Sequence, residues 1–409
     1  MKKFFKVTDL PDVLKLSGRF PTTGVSTIPV HECPGRILAG DVSCDADLPD
    51  FSRSTMDGHA VCAASTFGAS QGAPAFLSLG GSVSMGEAPD FSIRPGEAAK
   101  IPTGGMLPEG ADSVSMVEHS EAVGEGAVEV FKAVAPGDHV ILKGEDFKKG
   151  ETVLSKGARL RPVDAGLLAA FGKETVRVYE KPAVAIVSTG DEIVPPGNAP
   201  TLGQIRDINT HTLAGMVLES GGVPRIMGIV PDSFSDIQKI CLKALEESDM
   251  ALISGGSSVG ARDHTLDAIA SIPGSEILVH GVSISPGKPT ILAAAGEKPF
   301  WGLPGHVTSA MVVFDRLVRP FLERMAGLSP RFKKETRIFA TLSRNISSAQ
   351  GRTDYVRVRL REEGGEMFAD PVLGKSGLIR TMIKADGLIE IGINTEGLEK
   401  GARVAATPL

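Results

Sequence analysis

Apolar and polar positions follow two different rhythms along this chain, and the change falls at Lys181. From about residue 48 to 138, short apolar runs lie between Gly and Pro: HAVCAAS, AFLSLGGSVSMG, EAAKIPTGG, ADSVSMVEH and AVEVFKAV. Regular turn residues without helical periodicity predict a β-rich module. Residues 1–47 read as a short helical start followed by an extended segment. Residues 139–180 continue in β style until RPVDAGLLAAFG, a predicted helix with Pro162 near its start.

Beyond Lys181 the runs lengthen. AVAIVST, VPRIMGIV and MALISGG are mostly apolar, as strands buried on both faces of a parallel sheet are. Helical stripes separate them. NTHTLAGMVLESGG sets Leu213, Met216 and Val217 on one face, with Gly221 past its end. DSFSDIQKICLKALEESD aligns Ile237, Ile240, Cys241, Ala244 and Leu245, and Asp232 is expected as its N-cap. HVTSAMVVFDRLVRPFLERMAG is expected as the longest helix, its stripe running from Val307 to Phe321. Strands alternating with helices over 181–327 predict a doubly wound, mostly parallel sheet. RIFATLSRNI, DYVRVRLRE and GARVAAT predict a small β domain over 328–409. The fold class is therefore α/β plus β-rich modules in a multidomain chain.

Composition narrows the partners. At 409 residues the chain exceeds one ordinary domain, and a formal net charge of -6 offers no basic surface for nucleic acid or anionic membrane. The opening MKKFFKVTDLPDVL lacks a signal-peptide apolar core, and no run is long enough to span a bilayer. Cys33, Cys44, Cys62 and Cys241 are scattered without metal spacing and suit a reducing compartment. The expectation is a cytoplasmic protein.

The candidate chemistry lies where the predicted parallel strands end, the usual ligand edge of an open α/β sheet. STGDEIVPPG (188–197), GQIRDIN (203–209), SGGSSVGARDHT (254–265), SPGKP (285–289) and GLPGH (302–306) fall there. Glycine amides and hydroxyls favour an anionic, phosphorylated ligand. There is no GxGxxG, and SPGKP fails as a P-loop because Val282 and Pro289 replace required residues. Asp191, Glu192, Asp207, Asp232 and Asp263 crowd the same loops, which points to a divalent cation between carboxylates and phosphate. The plainer expectation makes Asp207 a turn former and Asp232 a cap. His264, His280 and His306 have no metal or triad spacing, and Ser257 and Ser258 lack a GxSxG setting. Earlier, FSRSTMDGHAV reads as a turn in which Asp57 bonds the backbone and Gly58 supplies a positive φ.

Eight ordered motifs, STMDGHAV, KIPTGGMLPEGAD, KGEDF, STGDEI, GQIRDIN, SGGSSVGARDHT, SPGKP and GLPGHVTSA, together resemble the molybdopterin molybdenumtransferase (MoeA) family, related to the C-terminal part of gephyrin. The resemblance covers essentially the whole chain. It implies an elongated multidomain protein: a linker and dimerisation domain (1–47 with 139–180), a β-rich domain (48–138), a molybdopterin-binding α/β domain (181–327) and a C-terminal β domain (328–409). The implied reaction takes adenylylated molybdopterin and molybdate, with Mg²⁺ or another divalent ion, to molybdenum cofactor and AMP. The implied partners are a second copy of the chain, a molybdopterin adenylyltransferase upstream, and molybdoenzymes or cofactor carriers downstream.

Carried over by motif, Asp57, Glu192, Asp263 and Lys288 are catalytic candidates, and Asp232, Asp263 and Glu192 would hold the metal. Thr103, Asp146, Thr189, Gly190, Asp207, Asn209, Gly255, Gly256, Ser258, Pro286, Gly287, Pro304, Gly305, His306 and Arg352 would bind the substrate. The resemblance also implies that Asp57 serves the other subunit of the dimer. Four positions depart from the family pattern: Ser285 replaces a basic residue, His306 replaces Asn, Ser257 replaces Val, and Ala261 replaces an acidic residue. Fewer charges near an oxyanion open two alternatives, a relative that binds molybdopterin without inserting metal and one that inserts tungsten. A gephyrin-like scaffold is a third.

Overall fold

The computed structural model describes residues 7–255 and 264–409. The chain folds as two compact units: one takes in Asp41–Ser155 and Ala169–Gly172, the other the chain up to Gly40, Lys156–Leu168 and Lys173–Leu409.

The first unit is built on a six-stranded sheet in the order Ser113–Met116, Gly58–Val61, Glu97–Ile101, Ala75–Ser82, Ala127–Val130, Ser120–Val123. Paired Ala60 and Ala99 face one apolar cluster with Ile101 and Val114, while paired Val61 and Ala98 face another with Leu77 and Val128. Small residues suit strands packed on both faces. Gly58 differs from its expectation: it lies in a strand, between Ile101 and Met116, and is not among the glycines with positive φ. Glycine is needed there for space. A Cβ would fall 2.0 Å from the Ser115 carbonyl oxygen.

In the second unit the expected α/β sheet is present. Its strands are β1 (Ala183–Thr189), β2 (Val223–Val230), β3 (Met250–Ser254), β4 (Ser275–His280), β5 (Ile291–Ala295) and β6 (Lys298–Leu303), ordered β2-β1-β3-β6-β5-β4. The first four in that order are parallel, and β5 and β4 add an antiparallel edge. Helices α1 (Asn209–Glu219), α2 (Phe234–Glu247), α3 (His264–Ala270), α4 (Val307–Val313) and α5 (Arg319–Met325) cover it. Alternation along β1 divides the core: Val184 and Ile186 join a cluster with Leu213, Trp301 and Phe321, and Ala185 and Val187 join one with Ile237 and Cys241. Trp301 meets Phe321 edge-on at 5.0 Å between centroids.

The single long helix expected after Gly305 is interrupted. A π turn, Phe314–Val318, separates α4 from α5. Pro320 has no N–H to offer the Arg316 carbonyl, and the looser turn absorbs that loss. Thr175–Tyr179, before the expected change of pattern, is a further strand, antiparallel to Val25–Pro29.

The C-terminal residues form the expected β domain as a ring. Thr353–Glu363, Glu366–Pro371, Ile338–Leu342, Arg403–Pro408 and Gly387–Ile391 pair in succession, and the last returns to the first. Leu342, Val358, Ala369 and Ile389 fill it. Ile284–Ser285, from the α/β region, pairs in parallel with Thr353–Asp354. This short ladder holds the SPGKP turn against the ring.

The crowding at Gly58 gives a direct test. Gly58→Ala should destabilise the first unit by about 1–3 kcal/mol through forced displacement of the Ser115 strand, read from chemical denaturation. An unchanged midpoint would contradict the close approach.

Candidate functional site

At the end of β1, Thr189 is buried and its hydroxyl donates to Asp232 Oδ1 at 2.5 Å. Asp191 Oδ1 accepts the Asp232 N–H at 3.1 Å. Asp232 is therefore not the cap of α2. Ser233, with extended backbone angles, fills that position and accepts from the Asp236 N–H, because Asp232 lies one residue too early to reach the helix amides. Gly255, at the end of β3, has φ +112°, and a Cβ there would fall 2.1 Å from the Thr189 carbonyl oxygen. Around Gly190, a Cβ would meet the Glu192 Oε2 at 2.8 Å, so the exposed Glu192 side chain folds back over its own loop.

Beneath these loops Asp207 is 7% exposed and accepts from the Ser188 hydroxyl and the Thr210 N–H, each at 3.1 Å. Ser188 also bonds Thr210 Oγ1 at 3.0 Å and Ser254 Oγ at 3.3 Å. Asp207 thus satisfies the first turn of α1 and ties it to Ser188 at the end of β1, which in turn reaches Ser254 at the end of β3. Asn209 Nδ2 donates to the Gly305 carbonyl at 2.8 Å, tying GQIRDIN to GLPGH.

The SPGKP and GLPGH loops and the C-terminal ring together line a cleft of about 760 Å³. Pro286, Gly287, Lys288, Pro304, His306 and Arg352 all face it. Gly287 has φ +120°, and a Cβ would come 2.5 Å from Val313 Cγ2. The Lys288 carbonyl accepts from the Val282 and Thr290 N–H groups, both at 2.9 Å, which fixes the turn while the side chain stays exposed.

The cations of this cleft are not equivalent. Arg352 Nε lies 2.9 Å from Asp354 Oδ1, and the Ser348 hydroxyl donates to Asp354 Oδ2 at 2.7 Å. Arg357, 8% exposed, donates from Nη2 to the Gly374 carbonyl at 3.2 Å, and its Nε has no hydrogen-bond partner among the described residues. Burial pushes its pKa down, the mark of a charge held at a desolvation cost. Sequence reading missed Arg357. DYVRVRLRE was read only as an alternating strand; the signal was Tyr355, two residues earlier on the same face and buried.

Asp57 and Thr103 lie in the other unit and meet there. Asp57 Oδ1 accepts the Thr103 N–H at 2.7 Å and the Thr103 hydroxyl at 3.0 Å. Those two bonds, the backbone one first, hold the Asp57 pKa below the usual aspartate value. Asp146 is exposed beside Arg53 and Glu145 in a separate concavity of about 610 Å³. Gly256, Ser258 and Asp263 lie outside the described residues.

Among the described residues, no three His, Cys, Asp or Glu side chains converge as a metal site. Asp191 and Asp232 are joined through the Asp232 N–H, and each keeps one carboxylate oxygen outside the bonds above. All four cysteines are free, and three are buried. No helix of the described residues is long and apolar enough to cross a membrane.

Comparison with known families decides the kinship. Residues 8–172 match the MoeA N-terminal region (domain I and II), and 340–409 match the MoeA C-terminal region (domain IV). Residues 185–324 match a model described as a probable molybdopterin binding domain. The chain belongs to the MoeA family. A protein of Methanocaldococcus jannaschii named for molybdopterin biosynthesis is 36% identical over 395 residues, 93% of this chain and 91% of its own. The molybdopterin molybdenumtransferase of Haemophilus influenzae is 31% identical, with 95% of each chain covered. A crystal structure of the molybdopterin biosynthesis MoeA protein from Pyrococcus horikosii superposes with a TM-score of 0.83 at 39% identity, covering 98% of this chain and 99% of that one.

In this MoeA family member the Asp57–Thr103 pair has a pH signature. Its contribution to stability is complete above the ordinary aspartate pKa and is lost as pH falls through the lowered folded value. A carboxyl-carbon NMR titration should give Asp57 a midpoint below that of an unstructured peptide. Thr103→Val removes only the hydroxyl donor and should raise the midpoint part of the way. An ordinary midpoint in the parent protein would refute the assignment.

Proposed function

We propose that this chain is a molybdopterin molybdenumtransferase that inserts molybdenum from molybdate into adenylylated molybdopterin and releases AMP. The observation that carries the reading is the cationic cleft at the SPGKP and GLPGH loops, with exposed Lys288 and buried Arg357 around it. Molybdate is a tetrahedral dianion, and two cations with hydroxyl neighbours suit it. The dithiolene sulfurs come with the substrate, so the enzyme needs no cysteine cluster.

The strand-end loops nearby hold the phosphorylated part of the substrate. Gly190 and Gly255 bring bare backbone to those strand ends, Thr189 holds Asp232 through its hydroxyl, and Asp207 and Asn209 keep the loops in register. Asp191 and Asp232 would hold Mg²⁺, which neutralises charge on the pyrophosphate when bound; Glu192 and Asp263 are further candidates from the same loops. Arg352, restrained by Asp354, positions the ring side of the cleft more than it supplies free charge. The protein works in the cytoplasm as a homodimer, receives its substrate from a molybdopterin adenylyltransferase, and passes cofactor to molybdoenzymes or carriers.

AMP release from adenylylated molybdopterin with Mg²⁺ and molybdate tests the reaction. Lys288→Ala should slow it at least about tenfold, the loss of one charge-assisted bond, while the melting temperature stays within a few degrees. Full activity in Lys288→Ala would remove the cleft from the mechanism. Binding without AMP release in the parent protein would favour the non-inserting alternative, and faster turnover with tungstate the tungsten one.

Asp57 is proposed to act on the partner subunit's substrate. Asp57→Ala and Lys288→Ala homodimers should each be slowed at least about tenfold, and a purified heterodimer of the two should regain up to about half of the parent activity, because one of its two sites is wholly intact. A heterodimer as slow as the two variant homodimers would sink that assignment.

A further inference from the structure

His306 occupies the N-cap position of α4, yet its side chain caps nothing there. The imidazole instead reaches the C-terminal ring, where Nδ1 lies 2.9 Å from the Ser376 hydroxyl oxygen. The contact is framed on both sides. The Thr308 N–H donates to the Ser376 carbonyl at 3.1 Å, and a Cβ on Gly377 would come 3.5 Å from the imidazole Cδ2. His306 and Ser376 both line the cleft that holds Lys288 and Arg357.

A serine hydroxyl has one proton to donate and lone pairs to accept with. If Nδ1 is bare, Ser376 donates its proton to the ring and turns only lone pairs toward the cleft, which repel an oxyanion. If Nδ1 carries a proton, the ring donates to Ser376, and the hydroxyl proton becomes available to the cleft. We propose that His306 is a positioning residue that, with its proton on Nδ1, makes Ser376 a hydrogen-bond donor to the oxyanion. An asparagine, which the sequence resemblance gives as usual at this position, could do the same through its amide NH₂. The inference rests on the cleft being the molybdate site.

The experiment is titration calorimetry of the purified protein with molybdate, paired with the AMP-release assay. His306→Phe keeps a ring against Gly377 and removes both nitrogens. It leaves the Ser376 hydroxyl its proton but removes the donor that aims it, so it should weaken molybdate binding, by less than Ser376→Ala does, and raise KM for molybdate far more than it lowers kcat. His306→Asn should recover most of that loss. Ser376→Ala should weaken binding about tenfold, the loss of one hydrogen bond to a charged group, and adding His306→Phe to it should cost nothing further, because His306 acts only through the hydroxyl. Additive losses would overturn the proposal, as would unchanged binding in His306→Phe while Lys288→Ala still weakens it. If Lys288→Ala also leaves molybdate binding unchanged, the cleft reading itself falls, and this inference with it.

Discussion

Two residues of parallel pairing, Ile284–Ser285 with Thr353–Asp354, fasten the SPGKP turn to the C-terminal ring. The cleft depends on them. Lys288 lies just past one side of the ladder, and Arg352 and Arg357 flank the other. The Thr353 N–H donates to the Ser283 carbonyl at 2.8 Å, extending the attachment by one bond. A ladder this short is weak alone. It persists because buried Ile284 and Tyr355 belong to the same apolar cluster as β6 and the helix after it. The binding geometry is thus anchored by the core of the α/β region.

Charge in the cleft is arranged unequally, and desolvation explains the difference. Arg352 is about half exposed and meets a buried carboxylate, so its charge is largely compensated. Arg357 is buried with one guanidinium nitrogen unpaired among the described residues, an arrangement that costs free energy.

The polar network under the strand ends works differently. Ser188, Asp207, Thr210 and Ser254 are buried and mutually hydrogen-bonded, which leaves them little to offer a ligand directly. Their effect is rigidity: satisfied buried networks hold one arrangement because every alternative leaves a polar group unpaired. Asn209 extends that restraint to Gly305, so the loops from two strand ends move together.

Much of the fold was legible in the chain, since its cause is local. Apolar runs such as AVAIVST must be buried on both faces, and the stripe of Ile237, Cys241 and Ala244 can bury only as a helix. The placing of these glycine and hydroxyl residues was legible too, because the order of strands and helices in an open α/β sheet sets where its strand-end loops fall. Three features depended on contacts distant in sequence. Gly58 is required by the Ser115 carbonyl of a neighbouring strand, which no turn rule anticipates. Asp232 faces Thr189 rather than capping α2, because Ser233 has the backbone angles of a cap. Arg357 and Ser376 join the cleft only because the ring closes and docks on SPGKP. Periodicity reports which side of a strand a residue occupies; only tertiary packing decides what stands opposite it, and that decides whether a charge is solvated or buried.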